Sequence, residues 1–349
     1  MHFRCRHRDR TPRWLSLWFL FRTPVFGRTP GGQTTSTADD IFPPQPGMEP
    51  QLQSAPVVRF KILVMITSYD RGESTKNFQG DKAVFIAAQL RRAASFCSRK
   101  VCVDAVVIAA WDVRPVLQEL NLTCSDRPLD MAHITFSPKA YGALSSRHRV
   151  YVANHLHDYD LFVHLEDDVF ISWRGIKAYM RYRLKIPARF RLGFYRVEIH
   201  NGTALQWQYP LEAFRTLEIN SETFVYAEAG YSQFPWYSGM WIATSAEILD
   251  LNRTCDPPFL PPELEATRRF VGNESIFGQE YWGGGLQLLQ SCPQIQAFLV
   301  PLQEFRSFAI VHASRNKVKL DSSTQKYRGP SGCAASVGSI LSSLGRHPA

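Results

Sequence analysis

Glu166-Asp167-Asp168 sets three carboxylates side by side in the chain. Such a triplet repels itself, and burying it is costly unless a cation neutralises it. Hard divalent cations such as Mg²⁺ and Mn²⁺ take oxygen ligands and often keep bonds to substrate phosphates. The chemistry open to the triplet is therefore that of a metal–diphosphate site. The plainer reading is a solvated acidic turn that caps the next segment, and short motifs alone do not separate the two. Position adds to the first reading. The triplet follows Asp160-Leu-Phe-Val-His-Leu165, an apolar run that fits a short strand covered on both faces. In open α/β sheets, ligands sit outside the carboxyl ends of strands.

The elements that would position this site are legible on either side. Lys61-Ile-Leu-Val-Met-Ile-Thr67 reads as a first strand. Asp81 can cap an amphipathic helix running to about Cys97, with Val84, Ala87, Ala88 and Arg91 at helical spacing. Val101–Ala109 reads as a second strand and Ala132–Phe136 as a shorter third. A helix is expected from about Leu144 to His157, leading into the strand before the triplet. Gly193-Phe-Tyr-Arg-Val-Glu198 is a further strand-like piece. Strands alternating with helices argue for an α/β fold: a mixed, mostly parallel sheet with flanking helices. The second half is less regular and rich in aromatics and glycine, as loops that build a pocket tend to be.

The 349 residues, 45% of them hydrophobic and 13% aromatic, are ample for one sizeable core and too few for two large domains. The formal net charge is +9, with Arg4, Arg6, Arg8, Arg10, Arg13, Arg22 and Arg28 gathered near the start. No zinc-finger spacing or RNA-recognition motif is visible, so nucleic acid is not an expected partner. Residues 1–22 read as a basic leader with a short apolar, signal-like segment, Trp14–Phe21. That segment is too short to span a bilayer. A start further upstream, a weak signal and a transit peptide all stand open, and membrane association through the N-terminus is compatible with each. Residues 23–57, rich in Pro, Gly, Ser and Thr, read as a flexible stem. Residues 58–320 form the expected single catalytic domain. The Ser/Gly-rich stretch 321–349 is expected to be a disordered tail.

Four sequons, at Asn121, Asn201, Asn252 and Asn273, lean towards a secretory-pathway lumen. Six cysteines lie beyond the leader: Cys97, Cys102, Cys124, Cys255, Cys292 and Cys333. Up to three disulfides are compatible with them. Connectivity is not readable from spacing, and buried thiols are the alternative.

With this order of strands, helices and carboxylates, residues 58–320 resemble a GT-A-fold glycosyltransferase that uses a nucleotide-sugar donor. The series of segments is similar to that of a poorly characterised eukaryotic set carrying a Glu-Asp-Asp variant of the Asp-x-Asp motif. The resemblance implies that Asp168 is a direct ligand of a divalent metal, Mn²⁺ or Mg²⁺. It implies that Glu166 lies nearer the ribose or the metal, with Asp167 beside the donor. Glu166 departs from the simple motif at its first residue. The edge Thr67-Ser68-Tyr69-Asp70-Arg71 would cradle the nucleotide, with Thr67 and Ser68 at base or ribose and Arg71 at phosphate. His148 and Arg149 would contact the donor, or else belong to a solvated helix face. Trp236-Tyr237-Ser238-Gly239-Met240-Trp241 resembles the segment lining the donor sugar and acceptor. Core packing is the first reading for Trp241. Glu280, beside Trp282, Gly283 and Gly284, would be the general base that deprotonates an acceptor hydroxyl, or a helix-start carboxylate favoured by the dipole. In Val311-His-Ala-Ser-Arg-Asn-Lys317, His312 would reach the metal and Lys317 the phosphate. Glu198 would contact the acceptor, or pair with Arg196 or its neighbours.

The function expected is a metal-dependent, inverting glycosyltransferase of the Golgi or endoplasmic reticulum lumen. Its donor would be a UDP- or GDP-sugar and its acceptor a glycan or glycoprotein. A sugar-phosphate nucleotidyltransferase would carry a glycine-rich basic loop after the first strand, and residues 67–80 hold only Gly72 and Gly80. A non-catalytic carbohydrate-binding protein on a decayed enzyme fold would have lost carboxylates that are present here.

Overall fold

Residues 59–68, 78–136, 141–206, 214–227, 239–255, 259–260, 292, 294–313, 319–321, 326–329, 332–333 and 335–344 are described by a computed structural model. All belong to the unit Val58–Ala349.

The first half alternates strands and helices. In chain order it holds β1 (Phe60–Ser68), α1 (Phe78–Ala94), β2 (Val101–Ala109), the short α2 (Arg114–Gln118), the hairpin β3 (Thr123–Cys124) and β4 (Arg127–Pro128), β5 (Asp130–Thr135), α3 (Tyr141–His155) and β6 (Leu161–Glu166). β1 pairs in parallel with β2 and β6, and β2 pairs in parallel with β5. The run Ile62–Ile66 has no polar residue because β1 is central and covered on both faces. Ile62, Val64 and Ile66 join Ile86 and Leu90 of α1 in one core. Leu63 and Met65 join Val152 of α3, and Leu156 just past its end, in the other.

The second half adds β7 (Val169–Phe170), α4 (Trp173–Tyr182), β8 (Phe190–Leu192), β9 (Tyr195–His200), β10 (Thr203–Gln206), β11 (Phe214–Ile219), β12 (Glu222–Ala227), β13 (Met240–Thr244) and α5 (Ser245–Thr254). Then come β14 (Ala297–Pro301), a 3₁₀ segment (Leu302–Phe308), β15 (Ala309–His312), β16 (Lys319–Asp321), β17 (Lys326–Gly329), β18 (Gly332–Cys333), β19 (Ala335–Ser336) and α6 (Val337–Ser343). β13 closes the first sheet by running antiparallel to β6, giving the order β13-β6-β1-β2-β5. A second sheet has the order β19-β10-β9-β15-β7, and a third the order β11-β12-β14-β8. The architecture is mixed α/β, with parallel and antiparallel pairing in the first sheet.

Several boundaries differ from those read off the sequence. α1 starts at Phe78, so Asp81 lies within the helix rather than capping it. The third strand begins two residues earlier than expected, and α3 spans Tyr141–His155. The expected disordered tail is corrected. Its described residues carry the end of β16, β17 to β19 and α6, and β19 adds to the edge of β10. Val337, Ile340 and Leu341 are buried in the main core. Their i, i+3, i+4 spacing is that of a helix face, hidden in a composition dominated by Ser and Gly. Ser336 caps this helix by accepting the Ser339 N–H at 3.0 Å. Two cysteine pairs are joined, Cys97–Cys124 and Cys255–Cys292, while Cys102 is a buried free thiol.

Candidate functional site

The acidic triplet lies at the carboxyl ends of β6 and β1, where Thr67 pairs in register with Glu166. Its backbone is held from both directions. The Glu166 N–H donates to the Gly239 carbonyl at 2.8 Å, and the Ala313 N–H donates to the Asp168 carbonyl at 2.8 Å. Gln89 of α1 adds a clamp, its Nε2 donating to the carbonyls of Glu166 and Val169 at 2.7 Å each. β7 then pairs with β15, placing Val169 opposite His312.

The three carboxylates have three different surroundings. Asp167 turns inward. It accepts from Lys82 Nζ at 2.7 Å and from Ser68 Oγ at 2.7 Å, and the Ser68 oxygen in turn accepts from Trp111 Nε1 at 2.9 Å. The Lys82 and Asp167 side chains are 8% and 12% exposed. Burial pushes the Asp167 carboxyl up, and the adjacent Lys82 ammonium pulls it back. Removing one partner of such a pair typically costs about 3–5 kcal/mol, because the other charge is left buried. Asp167 and Ser68 therefore support the turn from its α1 side. Lys82 and Gln89 were not singled out in the sequence. The available signal was two polar residues at helical spacing with the buried Ile86 and Leu90.

Glu166 points towards β9, where Arg196 Nη1 lies 3.8 Å from its Oε2. Gly239 makes room for it. A Cβ there would stand 2.4 Å from Glu166 Oε2, and the residue has φ of +68°. The close approach that Gly239 permits is to this carboxylate. Asp168 faces His312, with Oδ2 2.9 Å from Nε2. The other ring nitrogen of His312, Nδ1, is 2.7 Å from Glu198 Oε1. Glu198 Oε2 lies 3.2 Å from His200 Nε2. Glu198 thus pairs with a near neighbour in the strand and with His312 across the sheet.

Asp168 and His312 fit a divalent cation. Two ligands each about 2.1 Å from one ion and at right angles stand about 3 Å apart, as an octahedral Mg²⁺ or Mn²⁺ site requires. The carboxylate oxygen and imidazole nitrogen here have that separation, and the pair suits such an ion chemically. Among the described residues no group of three or more His, Cys, Asp or Glu side chains forms a ready metal cage. A cation held by these two side chains would take its other ligands from water or substrate, as Mg²⁺ usually does.

His148 and Arg149 lie neither at a donor edge nor on a solvated face. Both are buried below the sheet. Trp241 Nε1 donates to His148 Nε2 at 2.8 Å, and the His148 ring stacks on His164 with centroids 3.7 Å apart. His164 Nε2 meets Thr67 Oγ1 at 2.8 Å, so the Thr67 hydroxyl faces inward. Arg149 lies over the Phe259 ring, 4.5 Å from its centroid, and donates to the Phe259 carbonyl at 3.3 Å. Burial lowers Arg149 to about 10, so it keeps its charge at neutral pH. Burial first, and the charge of Arg149 second, lower His164 to about 3 and keep it neutral. The core reading of Trp241 agrees with its place in the second core. Periodicity did not reveal that α3 turns His148 and Arg149 inward, because the helix shows little separation of polar and apolar faces.

Arg71, Trp236, Tyr237, Ser238, Glu280, Trp282, Gly283, Gly284 and Lys317 lie outside the described residues. No protein-family model and no curated protein matches the chain.

Proposed function

We propose that the chain is a metal-dependent glycosyltransferase with a GT-A-like catalytic domain, moving a sugar from a nucleotide-sugar donor to a hydroxyl of a glycan or glycoprotein. One observation carries this reading: Asp168 Oδ2 and His312 Nε2 converge to 2.9 Å at the carboxyl edge of a parallel strand pair. The carboxylate comes from the acidic turn and the imidazole from a distant strand, β15, as a cation site assembled by the fold would need.

In this reading Asp168 and His312 hold the cation, Mn²⁺ or Mg²⁺. When bound, it supplies positive charge to the departing nucleoside diphosphate. Glu166, kept beside Arg196 by the space at Gly239, faces the same edge. Asp167, Lys82, Ser68 and Gln89 fix the turn, so that Asp168 is oriented before substrate arrives. Glu280 is the base that takes the acceptor hydroxyl proton onto its carboxylate as that oxygen attacks the anomeric carbon, with inversion.

The compartment proposed is the secretory lumen. The Cys97–Cys124 and Cys255–Cys292 bridges suit an oxidising environment. Asn121 and Asn201 are exposed for glycan addition. Asn252 is engaged instead, its Oδ1 accepting the Leu260 N–H at 2.9 Å. Among the described residues no helix is long and apolar enough to cross a membrane.

The test is calorimetric titration of UDP and GDP with and without Mn²⁺. The wild-type chain should bind a nucleotide in a Mn²⁺-dependent way, and Asp168→Ala should lose that dependence while keeping its far-ultraviolet circular dichroism. Metal-dependent binding that survives in Asp168→Ala would falsify the assignment.

A further inference from the structure

β9 carries an unusual face. Alternation along the strand places Arg196, Glu198 and His200 on one side, and Tyr195 and Val197 on the other, within the main core. A strand in the middle of a sheet has no structural need for a buried carboxylate. Glu198 is nevertheless 0% exposed and His312 2%. Desolvating a carboxylate is costly unless it is well paired, and an apolar residue would avoid the cost.

The geometry shows where that carboxylate acts. Oε1 faces His312 Nδ1 at 2.7 Å, and Oε2 faces His200 Nε2 at 3.2 Å. A carboxylate accepts hydrogen bonds and cannot donate them, so a ring nitrogen bonded directly to one must be the donor. A cation held by Asp168 and His312 would take the Nε2 lone pair, leaving the ring proton on Nδ1 for Glu198 to accept. The parallel pairing of β9 and β15, with Val197 opposite Val311, sets Glu198 and His312 on adjacent strands at one level. His200, two residues along β9, holds the far oxygen and so fixes the carboxylate plane.

We propose that Glu198, held by His200, is a positioning residue for the cation site, fixing the tautomer and ring angle of His312. The inference rests on the reading that Asp168 and His312 hold a divalent cation. It assigns Glu198 to the metal side of the site rather than to acceptor binding. A carboxylate behind a ligating imidazole orients the ring and raises its basicity, and loss of such a partner typically weakens metal binding by about 10–100-fold. Glutamine keeps the size of Glu198 but can turn its amide N–H₂ towards Nδ1, which favours the wrong tautomer.

The experiment titrates Mn²⁺ into the full chain and follows free Mn²⁺ by electron paramagnetic resonance, with thermal melts run in parallel. Glu198→Gln should bind Mn²⁺ about 10–100-fold more weakly than wild type at a similar thermal midpoint. His200→Leu should weaken binding less, and His200→Gln, which retains a donor for Glu198, should recover it. A folded Glu198→Gln with wild-type Mn²⁺ affinity overturns the proposal. Should Glu198→Gln fail to fold, the His200 pair decides: both variants at wild-type affinity overturn it, and weakening confined to His200→Leu supports it. A wild-type chain that takes up no Mn²⁺ overturns the cation reading and this proposal together. Binding lost in Asp168→Asn but unchanged in Glu198→Gln leaves the cation reading intact and rejects this proposal alone.

Discussion

Gly239 shows how a single residue sets the chemistry of its neighbour. Its φ of +68° lies in the left-handed region that side-chain-bearing residues avoid, at a cost of about 1–2 kcal/mol. A Cβ would also stand 2.4 Å from Glu166 Oε2. Gly239→Ala must therefore strain the backbone and push Glu166 away from Arg196. The expected outcome is a loss of about 1–3 kcal/mol in a denaturant melt, together with weaker Mn²⁺-dependent nucleotide binding by calorimetry. An alanine variant equal to wild type in both measurements would show that Glu166 tolerates displacement and is not part of the site. The same carboxylate triplet thus holds three roles, decided by what each side chain meets: Arg196 for Glu166, Lys82 and Ser68 for Asp167, and His312 for Asp168.

Between elements, the polar contacts run across the sheet as well as along its edge. Above β1 and β6, α1 reaches the acidic turn through Lys82 and Gln89. On the opposite face, α3 supplies His148 and Arg149 to a buried stack with His164 and Trp241. This second cluster carries a pH signature. His164 has an ordinary value near 6.5 in the unfolded chain and about 3 when folded. Between those values the unfolded chain takes up a proton that the folded chain refuses, so stability is full above pH 6.5 and falls as the solution is acidified. By pH 4 the expected loss from this group is about 3 kcal/mol, roughly 1.4 kcal/mol for each pH unit below 6.5. Thermal midpoints measured from pH 7 to pH 4 should drop more steeply in wild type than in His164→Gln. Equal slopes would remove His164 as the source.

At the scale of the whole molecule, the C-terminal segment completes the fold. β19 covers the edge of β10 through Ser336 and Ala335, and α6 buries Val337, Ile340 and Leu341. Each buried aliphatic side chain is worth about 1.5–3 kcal/mol, and the stability of a whole domain is about 5–15 kcal/mol. Deleting residues 335–349 should therefore lower the thermal midpoint sharply or prevent recovery of a folded chain. A truncated chain that melts like the full one would show that this segment contributes nothing to the core. The deletion also exposes an unpaired strand edge at β10, so aggregation on heating should set in earlier.

The sequence by itself determined the elements whose signal is local. The runs Ile62–Ile66 and Leu161–Leu165 are apolar because both strands are covered on two faces, and that is visible in one dimension. The acidic triplet stood out for the same reason, as three like charges where a buried strand ends. Tertiary structure decided the partners. His312 is expected at the metal only through the resemblance of its segment and not through any pattern near Asp168, and nothing in α1 announces that Lys82 would neutralise Asp167. Those pairings exist because β15 lies between β9 and β7, and because α1 packs over the carboxyl ends of β1 and β6. The inward turn of His148 and Arg149 was likewise hidden, since a helix with mixed faces does not reveal which side meets the sheet. Local patterns record burial, which acts on each residue separately, whereas a site is a set of distances between residues far apart in the chain, which only the packed sheet brings together.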